Sequence, residues 1–269
     1  MNTQRLTGED HASVVISNHG AQVLSWCTAD TVERLFISRT ASRQPGHAIR
    51  GGVPIIFPQF GGAGPLRHGF ARIMNWSLVD ASDAHACYEL SSSDETLRIW
   101  PHAFHLEYEI RLFPGRFSMT LEVKNIGLNP FSFTGALHTY LRVASLDEAF
   151  VRGLEGRPFI DEVTEMHLID SEPTLKFDGL IDRLYPDAAP QEVLTHTGFG
   201  DIKIVSEGFN DLVLWNPGHT ASAFLADLHP GGFENFACVE SAIVQNPTSL
   251  AAGGKWRGSQ TLILNDAHH

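Results

Sequence analysis

A chain of 269 residues carrying a formal net charge of −12 at pH 7 is poorly suited to nucleic acid or an anionic membrane surface. Its 43% hydrophobic and 19% charged residues allow a substantial core, and no apolar run approaches the ~18 residues of a membrane-spanning helix. Met1–Asp10 is polar rather than basic-then-apolar, so no secretory leader is read there and a cytoplasmic location is expected.

The first expected strands are Ser13–Ser17 and Gln22–Cys27, parted by the turn residues Asn18-His19-Gly20, followed by Leu35–Ser38. An unusual stretch begins here. From Arg34 to Val79 there are 46 residues without one Asp or Glu, and with Arg34, Arg39, Arg43, Arg50, Arg67 and Arg72 but no Lys. At the chain's average acidic density roughly 5 carboxylates would be expected in that span. A basic island in an acidic protein suits an anion, and Arg suits phosphate or carboxylate because its planar fork binds two oxygens. The alternative is a solvated basic face, or pairing with acids elsewhere in the fold. Within the island, Gly51–Pro65 reads as an ordered loop, because Pro and aromatic residues constrain it too much for a linker. His68 and Arg72 follow in Arg67-His68-Gly69-Phe70-Ala71-Arg72, where they face one polar ligand or form a turn with a capping His and a surface Arg.

Further expected strands are Trp76–Val79 and Ala84–Leu90. The clearest pattern comes next. Phe104, Leu106, Tyr108, Ile110 and Leu112 alternate with polar residues, Pro114-Gly115 turns the chain, and Phe117, Met119, Leu121 and Val123 alternate again. This is an antiparallel hairpin with one wet face. His102 and His105 point to opposite strand faces and have no third clustered partner in sequence, so no metal site is read there.

The Phe131–Val143 strand carries His138 on the face of Thr134, Ala136 and Tyr140, with Gly135 leaving room for a close approach. His is the side chain best able to move a proton near pH 7, though most of the 14 histidines must be structural. Strands are also expected at Ile202–Ser206, Leu212–Trp215, Phe236–Val244 and Gln260–Leu264, with short helices at Leu146–Ala149 or Thr248–Ala251. Glu240 shares a face with Phe236, Cys238, Ala242 and Val244. A carboxylate on an apolar face is costly to desolvate, and burial raises its pKa toward that of a general base. The alternative is a structural ion pair with an arginine.

The three cysteines, Cys27, Cys87 and Cys238, form no C-x-x-C pair and read as small buried apolar residues. Phosphate-loop, Rossmann, H-E-x-x-H and G-x-S-x-G patterns are absent, so no cofactor is expected. There is neither an internal repeat nor a low-complexity linker. The pattern indicates one all-β domain over residues 1–269, a large antiparallel β-sandwich.

Six segments together resemble the hexose-6-phosphate mutarotases of the aldose 1-epimerase superfamily. They are Arg50-Gly51-Gly52-Val53-Pro54 through Phe57-Pro58-Gln59-Phe60-Gly61, His68-Gly69-Phe70-Ala71-Arg72, Leu137-His138-Thr139-Tyr140, Asp182-Arg183-Leu184-Tyr185, Leu214-Trp215-Asn216-Pro217 and Cys238-Val239-Glu240. The resemblance implies a galactose mutarotase-like supersandwich with its sugar site in a concave face. It implies His138 as general acid, Glu240 as general base, Arg50 and Arg72 on the substrate, Asp182 on sugar hydroxyls and His68 lining the pocket. Arg67 stands where the family often has Gln, and an extra cation there would strengthen phosphate binding or alter which phosphate is preferred. The implied partner is a small sugar phosphate acted on by a monomer. A mutarotase for unphosphorylated sugars and a carbohydrate-binding sandwich without an acid–base pair are the competing readings.

Overall fold

A computed structural model of the chain describes residues 2–188 and 191–265. The Met1–Asp10 reading and the expected 1–269 domain therefore extend to residues outside those described. Three antiparallel sheets make up the architecture. A small one pairs Thr3–Thr7, Ser13–Ser17 and Val23–Cys27 in sequence order. A nine-stranded sheet runs, edge to edge, through Thr174–Lys176, Phe150–Arg152, Gln191–His196, Asp201–Glu207, Lys255–Asn265, Arg116–Asn125, Phe104–Phe113, His85–Ser91 and Ser77–Ala81. A seven-stranded sheet runs through Met166–Ile169, Pro158–Asp161, Ile181–Tyr185, Asp211–Asn216, Phe236–Leu250, Phe131–Arg142 and Ile55–Ile56.

The expected hairpin forms as read, with Tyr108 opposite Leu121 and Ile110 opposite Met119. Its alternation places Phe104, Leu106, Tyr108 and Ile110 in the core and leaves Glu107 and Arg111 exposed. Those side chains meet Leu137, Leu141, Val239 and Ile243 of the seven-stranded sheet in one continuous core, which also takes Val14 and Trp26 from the small sheet. Burying such apolar surface is the main favourable contribution to folding. One polar network crosses that core. Gln260 accepts from the Thr139 hydroxyl and donates to Val239 O at 3.2 Å and Ser241 Oγ at 2.8 Å, and Ser241 meets Ser206 at 2.5 Å.

The central strands of the seven-stranded sheet are buried on their second face as well. Two small apolar clusters lie there: Phe36, Tyr140, Leu228, Phe236 and Cys238 in one, and Ile56, Ala136, Leu184, Val213 and Ala242 in the other. His138 and Glu240 sit between them along their strands.

Local expectations are corrected at several points. Thr248–Ala251 is not helical, because the Phe236 strand continues to Leu250 past a register irregularity between Ile243 and Thr248. Leu146–Ala149 is a turn, and the short helices lie instead at Asp94–Ile99 and Gly218–Ser222. Leu35–Ser38 contributes isolated bridges at Leu35 and Ile37 rather than a strand. Cys238 is buried, whereas Cys27 and Cys87 are only partly so. Among the described residues no helix is long and apolar enough to cross a membrane.

Candidate active site

His138 and Glu240 are direct partners across adjacent antiparallel strands, so both side chains leave the same face of the sheet. The neighbouring row pairs Asp182 with Trp215, Trp215 with Cys238, and Cys238 with Tyr140. The period of two thus gathers residues separated by a hundred positions onto one surface. His138 Nε2 and Glu240 Oε1 lie 3.3 Å apart. His138 Nδ1 and Glu240 Oε2 are buried with no hydrogen-bond partner. The His138 ring stacks on Tyr140 at 4.8 Å and 7°, with Trp215 edge-on at 5.9 Å.

The Arg50–Pro54 segment runs beside that strand. The His138 amide donates to Pro54 O and the Tyr140 amide to Gly52 O. Ile55 and Ile56 then pair with Leu137 and Ala136. Arg50 is thereby held next to Tyr140: its Nη1 donates to the Tyr140 hydroxyl at 2.9 Å, while Nε and Nη2 lie 3.2 and 3.1 Å from Asp227 Oδ1.

The following loop returns through His68-Gly69. The Phe70 and Ala71 amides donate to Phe57 O, whose ring packs on Phe70, Phe104 and Phe133. Gly69 has φ +65°, and a Cβ there would sit 2.1 Å from Phe57 O, so no other residue fits. His68 itself has φ 63° and is fixed by donating its amide to Gly61 O and by accepting the Gly61 amide at Nδ1. Its ring stands edge-on to His138 at 5.8 Å. Arg72 donates from Nη2 to Arg67 O at 2.8 Å, and its buried Nε has no partner.

Charges act strongly in this enclosure. Burial, then the positive field of Arg72, Arg67 and Arg50, pushes His68 down to about 3. His138 is held well below its ordinary value by burial, His68, Arg50 and Arg72. Glu240 is pushed well above the usual carboxylate range by burial and the nearby Asp182. Asp182 rises to about 6 through burial, Glu162 and Asp161, with Arg67 opposing. Burial therefore disfavours the charged form of both partners in the free protein.

All seven sequence-derived site residues, Arg50, Arg67, His68, Arg72, His138, Asp182 and Glu240, converge here. The basic island does not converge as a whole. Arg34 is buried elsewhere against Asp30, Thr28 and Phe199 O, where its charge is structural. Tyr140, Trp215 and Asp227 belong to the site and were not singled out as functional. The Leu214-Trp215-Asn216-Pro217 and Leu137-His138-Thr139-Tyr140 segments signalled the first two, whereas nothing in sequence links Asp227 to Arg50.

His138, Cys238 and Glu240 each offer one potential metal-ligand atom, all within 4.8 Å of one another. The donor types suit zinc, but Arg50 and Arg72 act on the same pocket and oppose a dication. On the outer face of the nine-stranded sheet, Glu89 and Glu107 join His105 in a second such group, so the expectation that His105 lacks clustered partners is corrected.

On an antiparallel β-sandwich, the site thus pairs a buried imidazole with a buried carboxyl, with Arg50 and Arg72 acting on the imidazole and Asp182 on the carboxyl. Comparison with known proteins gives the family. The aldose 1-epimerase family model matches residues 2–262, and the chain belongs to that family. It is 34% identical to the "putative glucose-6-phosphate 1-epimerase" of Cenchrus ciliaris, covering 94% of this chain and 82% of that one. A protein of the same name from Escherichia coli (strain K12) is also 34% identical, over 87% of this chain and 81% of that one. Among solved structures, that of a "putative mutarotase (YeaD)" from Salmonella typhimurium superposes with a TM-score of 0.87 at 29% identity, covering 95% of this chain and 88% of that one.

Proposed function

We propose that this protein interconverts the α and β anomers of a hexose 6-phosphate, with glucose 6-phosphate as the substrate to test first. The observation that carries the reading is the His138–Glu240 pair, 3.3 Å apart and buried, in the field of Arg50 and Arg72, with Arg67 acting on the neighbouring His68 and Asp182. An acid and a base within reach of one another suit a reaction that moves one proton on and one proton off the same sugar. A cluster of arginines suits a substrate that carries a phosphate. The curated relatives named above point to the same substrate.

In the working state His138 is an imidazolium and Glu240 a carboxylate. The phosphate dianion offsets the cations that depress His138, so its arrival favours the imidazolium. Glu240 then takes the proton of the anomeric hydroxyl while His138 protonates the ring oxygen. The O1–H electron pair becomes the C1=O1 bond, and the C1–O5 pair leaves with O5. Rotation about C1–C2 presents the other carbonyl face. The same two groups, with roles exchanged, close the ring and regenerate the starting state. Each positioned proton-transfer group contributes about 10²–10⁴-fold. We assign Asp182 to the sugar hydroxyls, and the neutral His68, whose Nδ1 accepts from Gly61, keeps Nε2–H as a donor.

We read the chain as one cytoplasmic, monomeric domain needing no cofactor, on the strength of its continuous core and the absence of cofactor motifs. Exchange NMR of anomeric protons with and without protein tests the activity. Preference for plain glucose would leave only the wider mutarotase reading.

A further inference from the structure

A cavity of about 410 Å³ shares no lining residue with the His138–Glu240 site and lies in the size range of small-molecule sites. Asn2, Asn18, His19, Arg43, Asn75 and Trp76 line it. Main-chain bonds tie its walls together. The Asn18 amide donates to Asn2 O, the Trp76 amide to Asn18 O and the Gly20 amide to Met74 O, and His19 bridges Asn75. The segment that carries Arg43 is joined through His19, whose Nε2 lies 2.7 Å from His47 O.

These fixed walls carry unspent hydrogen-bonding capacity. Asn2, Asn18 and Asn75 make no side-chain hydrogen bond to a described residue, and Arg43 has neither a hydrogen bond nor an ion pair among them. Gln22, on the same turn, shows the contrast, because its Nε2 is spent on Ile49 O at 3.1 Å and Gly51 O at 2.6 Å. His19 is only 3% exposed. A carbonyl can only accept, so His19 Nε2 carries the proton, and in the neutral ring Nδ1 is an acceptor. That Nδ1 has no partner among the described residues. Water satisfies exposed amides, but a buried ring nitrogen left open calls for a donor.

The donor and acceptor types select a ligand. Arg43 offers a planar fork for an anion, and the three amides add more N–H donors than the two oxygens of a carboxylate can use. The three terminal oxygens of a phosphate suit them better. The amide oxygens and His19 Nδ1 accept, and so call for hydroxyl hydrogens. No carboxylate lines the cavity to repel an anion. We propose that this cavity is a second binding site, for a small phosphorylated polyol, with Arg43 on the phosphate and His19 Nδ1 accepting from a hydroxyl. The site stands apart from the anomer-exchange reading, since none of its residues takes part in that reaction.

The probe is glucitol 6-phosphate, which has no anomeric carbon and cannot undergo ring opening. Its binding to the full-length wild type, Arg43→Ala and Arg72→Ala is followed by NMR through the side-chain amide signals of Asn18 and Asn75. Each signal is identified by its loss in Asn18→Ser or Asn75→Ser. Arg43 is exposed and unpaired among the described residues, so Arg43→Ala should keep the wild-type spectrum elsewhere. Both amide signals should shift on titration of wild type. The Kd read from them should rise about tenfold or more in Arg43→Ala and stay within about twofold in Arg72→Ala, which is altered only at the other site. Glucitol, lacking the phosphate, should bind at least about tenfold more weakly. Absence of any shift in wild type at millimolar probe, unchanged Kd in Arg43→Ala, or equal binding of glucitol would overturn the proposal. Shifts that vanish in Arg72→Ala and persist in Arg43→Ala would place the ligand in the His138–Glu240 pocket, and would overturn it as well.

Discussion

His138 and Glu240 face each other across two neighbouring strands with Nε2 and Oε1 3.3 Å apart, and each retains a buried polar atom with no hydrogen-bond partner. A pair kept only for stability would be expected to satisfy those atoms. His138→Ala and Glu240→Gln should each lower anomer exchange at least about 10²-fold. Glu240→Gln replaces a carboxyl whose charged form burial disfavours by a neutral amide of the same shape, so its Tm should stay near wild type. Full activity in either folded variant would remove that residue from the mechanism.

Asp182 gives a pH signature. Its carboxyl is raised from an ordinary 3.8 to about 6, chiefly by burial. A group raised in the fold adds stability that is present below its unfolded value and lost as pH climbs through the folded one. Asp182→Asn does not titrate. Its Tm relative to wild type should therefore rise from about pH 4 to about pH 7 and then level off. A Tm difference independent of pH would show that the carboxyl is not perturbed.

The core network around Gln260 adjoins the His138–Glu240 pair in sequence, since Thr139 follows His138 while Val239 and Ser241 flank Glu240. Gln260→Leu keeps volume but takes a partner from the Thr139 hydroxyl, Val239 O and Ser241 Oγ, of which Ser241 keeps Ser206. The expected loss is about 1–3 kcal/mol, read by denaturant unfolding. Adding Thr139→Val and Ser241→Ala should recover part of it, because apolar replacement of a whole buried network removes the unmet groups. No loss in Gln260→Leu would mean that the network is energetically idle.

Arg72→Ala should cost about 10- to 100-fold in kcat/KM for glucose 6-phosphate and far less for glucose, which never uses the contact. Arg67 is exposed and lies within electrostatic reach of Asp182, His68 and Arg72. Arg67→Gln should give a smaller loss in the same direction, since the Arg67 carbonyl that holds Arg72 belongs to the backbone. Equal losses on both sugars would mean that these arginines shape the pocket without reading phosphate.

The parts legible in sequence share one physical cause: a period of two reports orientation wherever one strand face is apolar. It placed the Phe104–Lys124 hairpin and the inward aim of Glu240 and His138. It failed where the strand is irregular, as beyond Ile243, so Thr248–Ala251 read as a helix. The Asp94–Ile99 helix spans six residues, too few to show a 3.6-residue repeat, and its Ser93 cap closes on Thr96 rather than on Glu or Gln. Charge patterning found Arg50, Arg67 and Arg72 but also admitted Arg34, because a sequence gives no sign of which cation is neutralised by a buried neighbour. Asp227 lies 177 positions from the arginine it holds, and only the fold brings the two together.

The most direct test is exchange NMR of the α and β anomeric protons of glucose 6-phosphate and of glucose, with equal amounts of wild-type protein. The account predicts faster interconversion of the phosphorylated sugar, with kcat/KM exceeding that for glucose by at least about tenfold. Faster exchange of glucose than of glucose 6-phosphate, or no acceleration of either, would contradict it.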